Sequence, residues 1–142
     1  MSNSVELLHG DVTDGILAGF YAVGREMGHG FLESVYQAAM FLELAERAVK
    51  VRANVRLPVR YKGRIVGDFR TDLVVEDKVI AEVKAMRLIE PAAEAQLLNC
   101  LRASDVEVGL ILNFGSRLEF RRRVLENARK VGTAPTTSSS SA

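Results

Sequence analysis

The stretch Asp72-Leu73-Val74-Val75-Glu76-Asp77-Lys78-Val79-Ile80-Ala81-Glu82-Val83-Lys84 decides how this chain folds. Apolar and polar residues alternate with a period of two on either side of Glu76-Asp77-Lys78, the pattern of two strands joined by a tight turn. Leu73, Val75, Val79, Ala81 and Val83 then share one wholly apolar face, while Asp72, Val74, Ile80, Glu82 and Lys84 share the other. A turn centred on Asp77 sets Asp72 directly opposite Glu82. Opposed residues have Cβ atoms about 5 Å apart, and like charges there are destabilising unless something positive lies between them. A divalent cation would resolve the conflict. A salt-bridged surface hairpin in which Lys84 merely neutralises Glu82 would resolve it too, and spacing alone leaves both readings open.

Working outward, Val51, Ala53, Val55, Leu57, Val59 and Tyr61 alternate with mostly polar or basic residues, as in a strand with one wet face, and Pro58 suits an edge position. Lys62-Gly63 turns the chain into a second strand over Ile65 to Val75, and Val79 to Ala85 completes a three-stranded meander. Before the meander, Asp11 or Thr13 can cap a helix with Ile16, Phe20, Val23 and Met27 on one stripe. Gly28-His29-Gly30 breaks it, and Phe31, Val35, Ala38, Leu42 and Ala45 give a second stripe reaching about Val49. After the meander, Pro91 opens a helix through Ala103, and Val106 to Phe114 reads as a strand apolar on both faces. Leu118 to Val131 is ambiguous, readable as a short strand and a helix. The order implies an α/β domain with a mixed sheet over residues 1–131, followed by a disordered Ser/Thr-rich tail, 132–142.

With 142 residues, 48% hydrophobic and 26% charged, the chain is the size of one ordinary domain. No apolar run approaches the roughly 18 residues of a membrane helix, and Met1 to Gly10 lacks the order of a secretion signal, so a cytoplasmic protein without membrane contact is expected. The single cysteine, Cys100, excludes an internal disulfide and a paired-cysteine zinc site. A net charge of +1 leaves attraction to polyanions to local clusters such as Arg117, Arg121, Arg122, Arg123, Arg129 and Lys130. The solvated face of a terminal helix accounts for these equally well.

Asp72, followed after nine residues by Glu82-Val83-Lys84, resembles the D-x(n)-(D/E)-x-K signature of the PD-(D/E)XK nuclease superfamily, with Thr71 where proline is usual. Gly30-Phe31-Leu32-Glu33-Ser34-Val35-Tyr36 resembles the motif of its GxxExxY branch. Glu94 to Leu101 is similar to that branch's E-A-Q-L-L-N-Y-L helix, and Gly109 to Gly115 to its G-L-L-I-N-F-G strand. Cys100 departs from the tyrosine usual there, so no role for that hydroxyl is carried over and Cys100 stays outside the expected site.

The resemblance implies a restriction-endonuclease-like αβββαβ core, with helices flanking the sheet and one additional N-terminal helix. It implies a metal-dependent nuclease acting on DNA, with Glu33, Asp72 and Glu82 as ligands of Mg²⁺ or Mn²⁺. Lys84 would orient or deprotonate the attacking water, and Gln96 would lie near that water or the substrate. Hard oxygen donors suit Mg²⁺, which keeps waters for nucleophile and phosphate. Plainer readings stand beside these roles. Glu33 would favour the positive end of a helix dipole wherever it pointed. Gln96 could be an ordinary surface amide, Tyr36 a packing residue with a bonded hydroxyl, and His29 a loop residue. The alternatives to a nuclease are an inactive module of the same fold that binds nucleic acid or a protein partner, and an enzyme acting on another phosphoester such as a nucleotide. A homodimer or larger partner is expected from the resemblance alone.

Overall fold

A computed structural model describes residues 7–130. The N-terminal residues ahead of them and the Ser/Thr-rich tail, with the expectations placed on both, lie outside that range. Among the described residues no helix is long and apolar enough to cross a membrane.

Five strands form one sheet in sequence order: β1 (Val51–Tyr61), β2 (Arg64–Val75), β3 (Val79–Lys84), β4 (Val108–Phe114) and β5 (Leu118–Val124). β3 and β4 are parallel and every other pair is antiparallel, so the sheet is mixed, as expected. The crossover between β3 and β4 carries α3 (Pro91–Arg102), with Pro91 in the first turn. All of β4 is buried, which explains why Val108 to Phe114 is apolar on both faces. Pro58 does lie on an edge strand, β1.

α1 (Gly10–Met27) and α2 (Glu33–Glu46) cover one face of the sheet. Ile16, Phe20 and Val23 bury the predicted stripe of α1. Its start differs from the expectation: neither Asp11 nor Thr13 caps it, because the helix already begins at Gly10 behind His9 in the left-handed region, and Thr13 Oγ1 bonds the Gly10 carbonyl inside the first turn. The stripe expected for α2 is also corrected. Tyr36, Met40 and Leu44 are its buried face, while Phe31, Val35 and Leu42 are exposed. The expected set recurs every three or four residues and the buried one every four, so both suit a helix, and burial of the tyrosine decides between them. These side chains and Leu73, Val75, Val79, Ala81 and Val83 form the larger core, so the predicted apolar face of the hairpin is the one that α1 and α2 cover.

On the other face α3 packs Ala93, Leu97, Cys100 and Leu101 against Val74, Ile80 and Ile111. A Cβ at Gly109 would lie 2.6 Å from Leu97, so the absent side chain is what lets α3 approach β4. The undecided segment after Phe114 is a strand, β5, followed by a short 3₁₀ turn at Asn127–Arg129. The arginines expected on a terminal helix are therefore largely strand residues, and Arg121 and Arg123 both pair with Glu94 on α3.

Candidate active site

β2 and β3 are joined by a tight turn in which Glu76 and Asp77 both take positive φ, 54° and 55°, with the Lys78 amide donating to the Val75 carbonyl at 2.9 Å. The ladder runs Val75↔Val79, Val74↔Ile80, Leu73↔Ala81 and stops there. The predicted register holds, and Asp72 opposite Glu82 is the first position beyond its end. At that point the Asp72 carboxylate replaces the missing strand: Oδ2 accepts the Val83 amide at 2.7 Å.

β1 is irregular at the same level. Asn54, which would face Asp72 across the ladder, has φ 54° and makes no ladder pair. Gln37 on α2 donates to Asn54 Oδ1 at 2.9 Å and to the Asp72 carbonyl at 3.3 Å, clasping both strands where they leave the sheet. The ribbon turns over here. Val51, Leu73 and Val75 pack towards α1 and α2, whereas Val55, Leu57 and Phe69 pack towards α3. That inversion brings Thr71 against Glu82, on the α3 side.

Glu82 is 1% exposed and has no ion pair with a described residue. Its hydrogen-bond donor is the thiol of Cys100 on α3, Sγ to Oε2 at 3.4 Å, a weak one. Burial pushes the Glu82 carboxyl up to about 7, with the charge of Asp72 adding to the effect and Thr71, Cys100 and Lys84 opposing it. Burial, then the charge of Glu82, pushes the Cys100 thiol up to about 12. Thr71 Oγ1 is itself buried with no hydrogen-bond partner of ordinary geometry. Lys84, two residues along and half-buried, donates Nζ to Gln96 Oε1 at 2.8 Å. The surface hairpin neutralised by Lys84 is thus ruled out: Glu82 is neither at the surface nor paired with the lysine.

The exit of β3 is held as firmly as its entry. Asn113 on β4, fully buried, accepts from the Met86 amide at 2.9 Å and donates to the Met86 carbonyl at 2.8 Å. Beyond Lys84 a cleft of about 300 Å³ opens between His29–Phe31, Ala85–Arg87 and Phe114–Ser116. Neither Asp72 nor Glu82 lines it. His29 is a loop residue on its wall, between Gly28 at φ 69° and Gly30 at φ 117°, values that favour glycine.

Asp72, Glu82, Lys84 and Gln96 are brought together; Glu33 stands apart. It is exposed in the first turn of α2 and makes no hydrogen bond or ion pair with a described residue. Among the described residues no three His, Cys, Asp or Glu side chains lie close enough to hold an ion. Glu33 is nevertheless one helical turn before Gln37, on the same face, and Gln37 touches Asp72. Tyr36 is the packing residue expected: it is fully buried, stacks on Phe114, and donates its hydroxyl to the Gly28 carbonyl at 2.6 Å. Sequence reasoning missed Cys100, Gln37, Thr71 and Asn113. For two of them a signal existed, because Cys100 lies four residues after Gln96 and Gln37 four after Glu33.

The mixed sheet flanked by helices, with strands parting at a carboxylate pair, defines a restriction-endonuclease-like α/β domain. The profile of the PD-(D/E)XK nuclease superfamily matches residues 10–124, and the chain belongs to that superfamily. The fold is similar to the crystal structure of SSO0001, with a TM-score of 0.54 at 14% identity over 66% of this chain and 50% of that one. This chain therefore spans about half the length of that relative, and the likeness concerns the fold alone. No curated protein matches the sequence.

Members of the superfamily typically use divalent metal ions, and the residues here fit one. The buried Glu82 carboxylate, with the Asp72 carboxylate and the Thr71 hydroxyl beside it, offers oxygen donors.

Proposed function

We propose that this protein is a metal-dependent nuclease of the GxxExxY branch that hydrolyses phosphodiester bonds in DNA at the D-x9-E-x-K centre. One observation carries the reading: Glu82 is buried beside Asp72 and makes no ion pair with a described residue, with the charge of Lys84 offsetting burial only in part, so a second negative charge there is costly unless a cation joins it. Asp72 and Glu82 would hold Mg²⁺ or Mn²⁺, which supplies a more acidic water and offsets charge on phosphorus. Lys84, held by Gln96, would orient or deprotonate the attacking water and favour charge on the scissile phosphate. Glu33 would act through a bound water from the α2 side of Gln37.

The branch assignment is supported by the way its motif builds the start of α2. Gly30 takes a backbone conformation that other residues adopt with strain, and Tyr36 ties Gly28 and Phe31 to the core, which leaves Glu33 at the open end of the helix.

Purified protein should cleave single- or double-stranded DNA with Mg²⁺ or Mn²⁺, lose that activity with chelator, and lose it in Asp72→Asn while the fold persists. Absence of cleavage of DNA and RNA with either ion, together with unchanged metal binding in Asp72→Asn, would overturn the proposal. Nucleic-acid binding without hydrolysis would favour an inactive module, and hydrolysis of nucleotides alone a different phosphoester.

A further inference from the structure

β1 and β2 run on well past the sheet. Because β3 pairs with β2 no further than Leu73, the chain from Val55 to Thr71 is a two-stranded ribbon, paired from Val55↔Thr71 to Tyr61↔Arg64. At ~3.3 Å per residue it is about 20 Å long. Val55, Leu57 and Phe69 pack its base against the α3 core, so the ribbon leaves the body at a fixed angle, with Thr71 and Asp72 at its root.

Its charge is one-sided. Between Val55 and Thr71 lie Arg56, Arg60, Lys62, Arg64 and Arg70 against a single acid, Asp68, in a chain whose net charge is only +1. Arg56 pairs with Asp68 at 2.8 Å and Arg70 donates to the Asn54 carbonyl at 3.3 Å. Arg60, Lys62 and Arg64, grouped at the far end, are exposed and form no ion pair with any described residue. Tyr61 lies among them, 62% exposed, with Lys62 Nζ 5.3 Å from its ring centre.

We propose that this ribbon is an arm that grips the phosphate backbone of a nucleic-acid duplex and holds it across the Asp72–Glu82 centre. The inference rests on the nuclease reading and adds the surface by which substrate is held. A two-stranded ribbon fits a duplex major groove, about 12 Å wide, and its reach matches the breadth of a duplex. Unpaired cations near phosphates gain affinity by releasing condensed counterions. A second copy of this chain suits the tip less well, since a two-fold contact would set like charges against each other.

The test is duplex binding in chelator, followed by fluorescence anisotropy across a salt series, for wild type and for the triple variant Arg60→Gln, Lys62→Gln, Arg64→Gln. The variant should bind roughly tenfold or more weakly near ~0.1 M salt, with a slope of log affinity against log salt shallower by about 2 to 3. Its hydrolysis of a small aryl phosphodiester with Mn²⁺ should equal that of wild type, because the substitutions leave the carboxylates untouched. Equal duplex affinity and slope in the two proteins would overturn the arm and leave the cations as guards of an open sheet edge. An altered sedimentation mass with unchanged duplex binding would assign the tip to self-association and overturn it equally. Failure of wild type to bind any nucleic acid would instead remove the nuclease reading beneath it.

Discussion

Asp72 Oδ2 accepts the amide of Val83 at 2.7 Å, so a side chain completes the hydrogen bonding of β3 at the point where β2 withdraws. Val83 is buried and its bond to Asp72 is partly buried, so water is a poor replacement for that acceptor. Asp72→Ala should therefore destabilise the protein by about 1–3 kcal/mol in urea unfolding, the cost of an orphaned buried donor. Asp72→Asn keeps an acceptor oxygen and should remain within about 1 kcal/mol of wild type, yet lose cleavage by roughly a hundredfold or more as the negative charge disappears. Equal stability of the two variants would show that the Val83 contact contributes little.

Glu82 predicts an unusual pH dependence. Its carboxyl is raised in the folded state to about 7, chiefly by burial and next by Asp72, so the folded protein binds a proton that the unfolded chain has already released. In chelator, the contribution of Glu82 to stability should be largest below the ordinary carboxylate range, fall as pH rises towards about 7, and level off above it. The drop attributable to this group is on the order of 3 kcal/mol. Glu82→Gln should abolish that part of the slope and be the more stable protein at pH 8, and saturating Mg²⁺ should recover stability in wild type alone. Denaturant melts of both proteins at pH 5, 6, 7 and 8 decide the matter.

Lys84 and Gln96 should separate chemistry from metal binding. The Nζ to Oε1 contact at 2.8 Å is partly exposed and contributes little to stability, within about 0.5 kcal/mol. Lys84→Met should lower kcat by about 10²–10⁴-fold, the range for a lost proton-transfer group, while Mg²⁺ affinity measured by calorimetry is kept or slightly improved. Gln96→Leu frees the ammonium without removing it and should cost much less. A Lys84→Met protein that no longer binds metal would place the lysine in holding the carboxylates.

Cys100 should be inert in the native protein. Its side chain is fully buried and its thiol is pushed up to about 12 by burial and by the neighbouring Glu82, so little thiolate exists at neutral pH. An aromatic disulfide reagent at pH 8 should label it only on unfolding, with the labelling rate rising with denaturant. Rapid labelling of the folded protein would mean that α3 opens over Glu82.

Much of this was legible in the sequence, and the reasons differ by element. The hairpin register followed from a period of two that only one pairing satisfies, since a slip by one residue would turn Leu73, Val75, Ala81 and Val83 away from the core. The end of the ladder at Leu73↔Ala81 had no local signal, and the contacts made there, Gln37 to Asn54 and to the Asp72 carbonyl, join residues far apart in the chain. The buried face of α2 differs from the expected one because two stripes of helical spacing lie side by side, and the one that carries a tyrosine with a bonded hydroxyl became core. The pairing of Arg121 and Arg123 with Glu94 joins residues nearly thirty positions apart, beyond any pattern of spacing. Of the candidate site, Asp72, Glu82, Lys84 and Gln96 were visible as residue types, whereas the burial that makes Glu82 unusual was not.

Tyr36 shows how the packing layer reaches the site. Its ring stacks on Phe114 with centroids 4.4 Å apart and planes within 8°, and its hydroxyl donates to the Gly28 carbonyl at 2.6 Å while accepting from the Phe31 amide at 3.3 Å. The one hydroxyl thus fixes both ends of the loop that sets where α2 begins, and with it Glu33 and Gln37. Tyr36→Phe keeps the stack and should cost about 1–2 kcal/mol for the lost hydrogen bonds, whereas Tyr36→Ala should cost about 3–5 kcal/mol through the cavity it leaves. If Glu33 acts on the substrate side, Tyr36→Phe should also lower cleavage at temperatures where the protein is fully folded, and combining it with Glu33→Gln should add little further loss. Full activity of the folded Tyr36→Phe protein, with an additive effect of Glu33→Gln, would confine the tyrosine to the core.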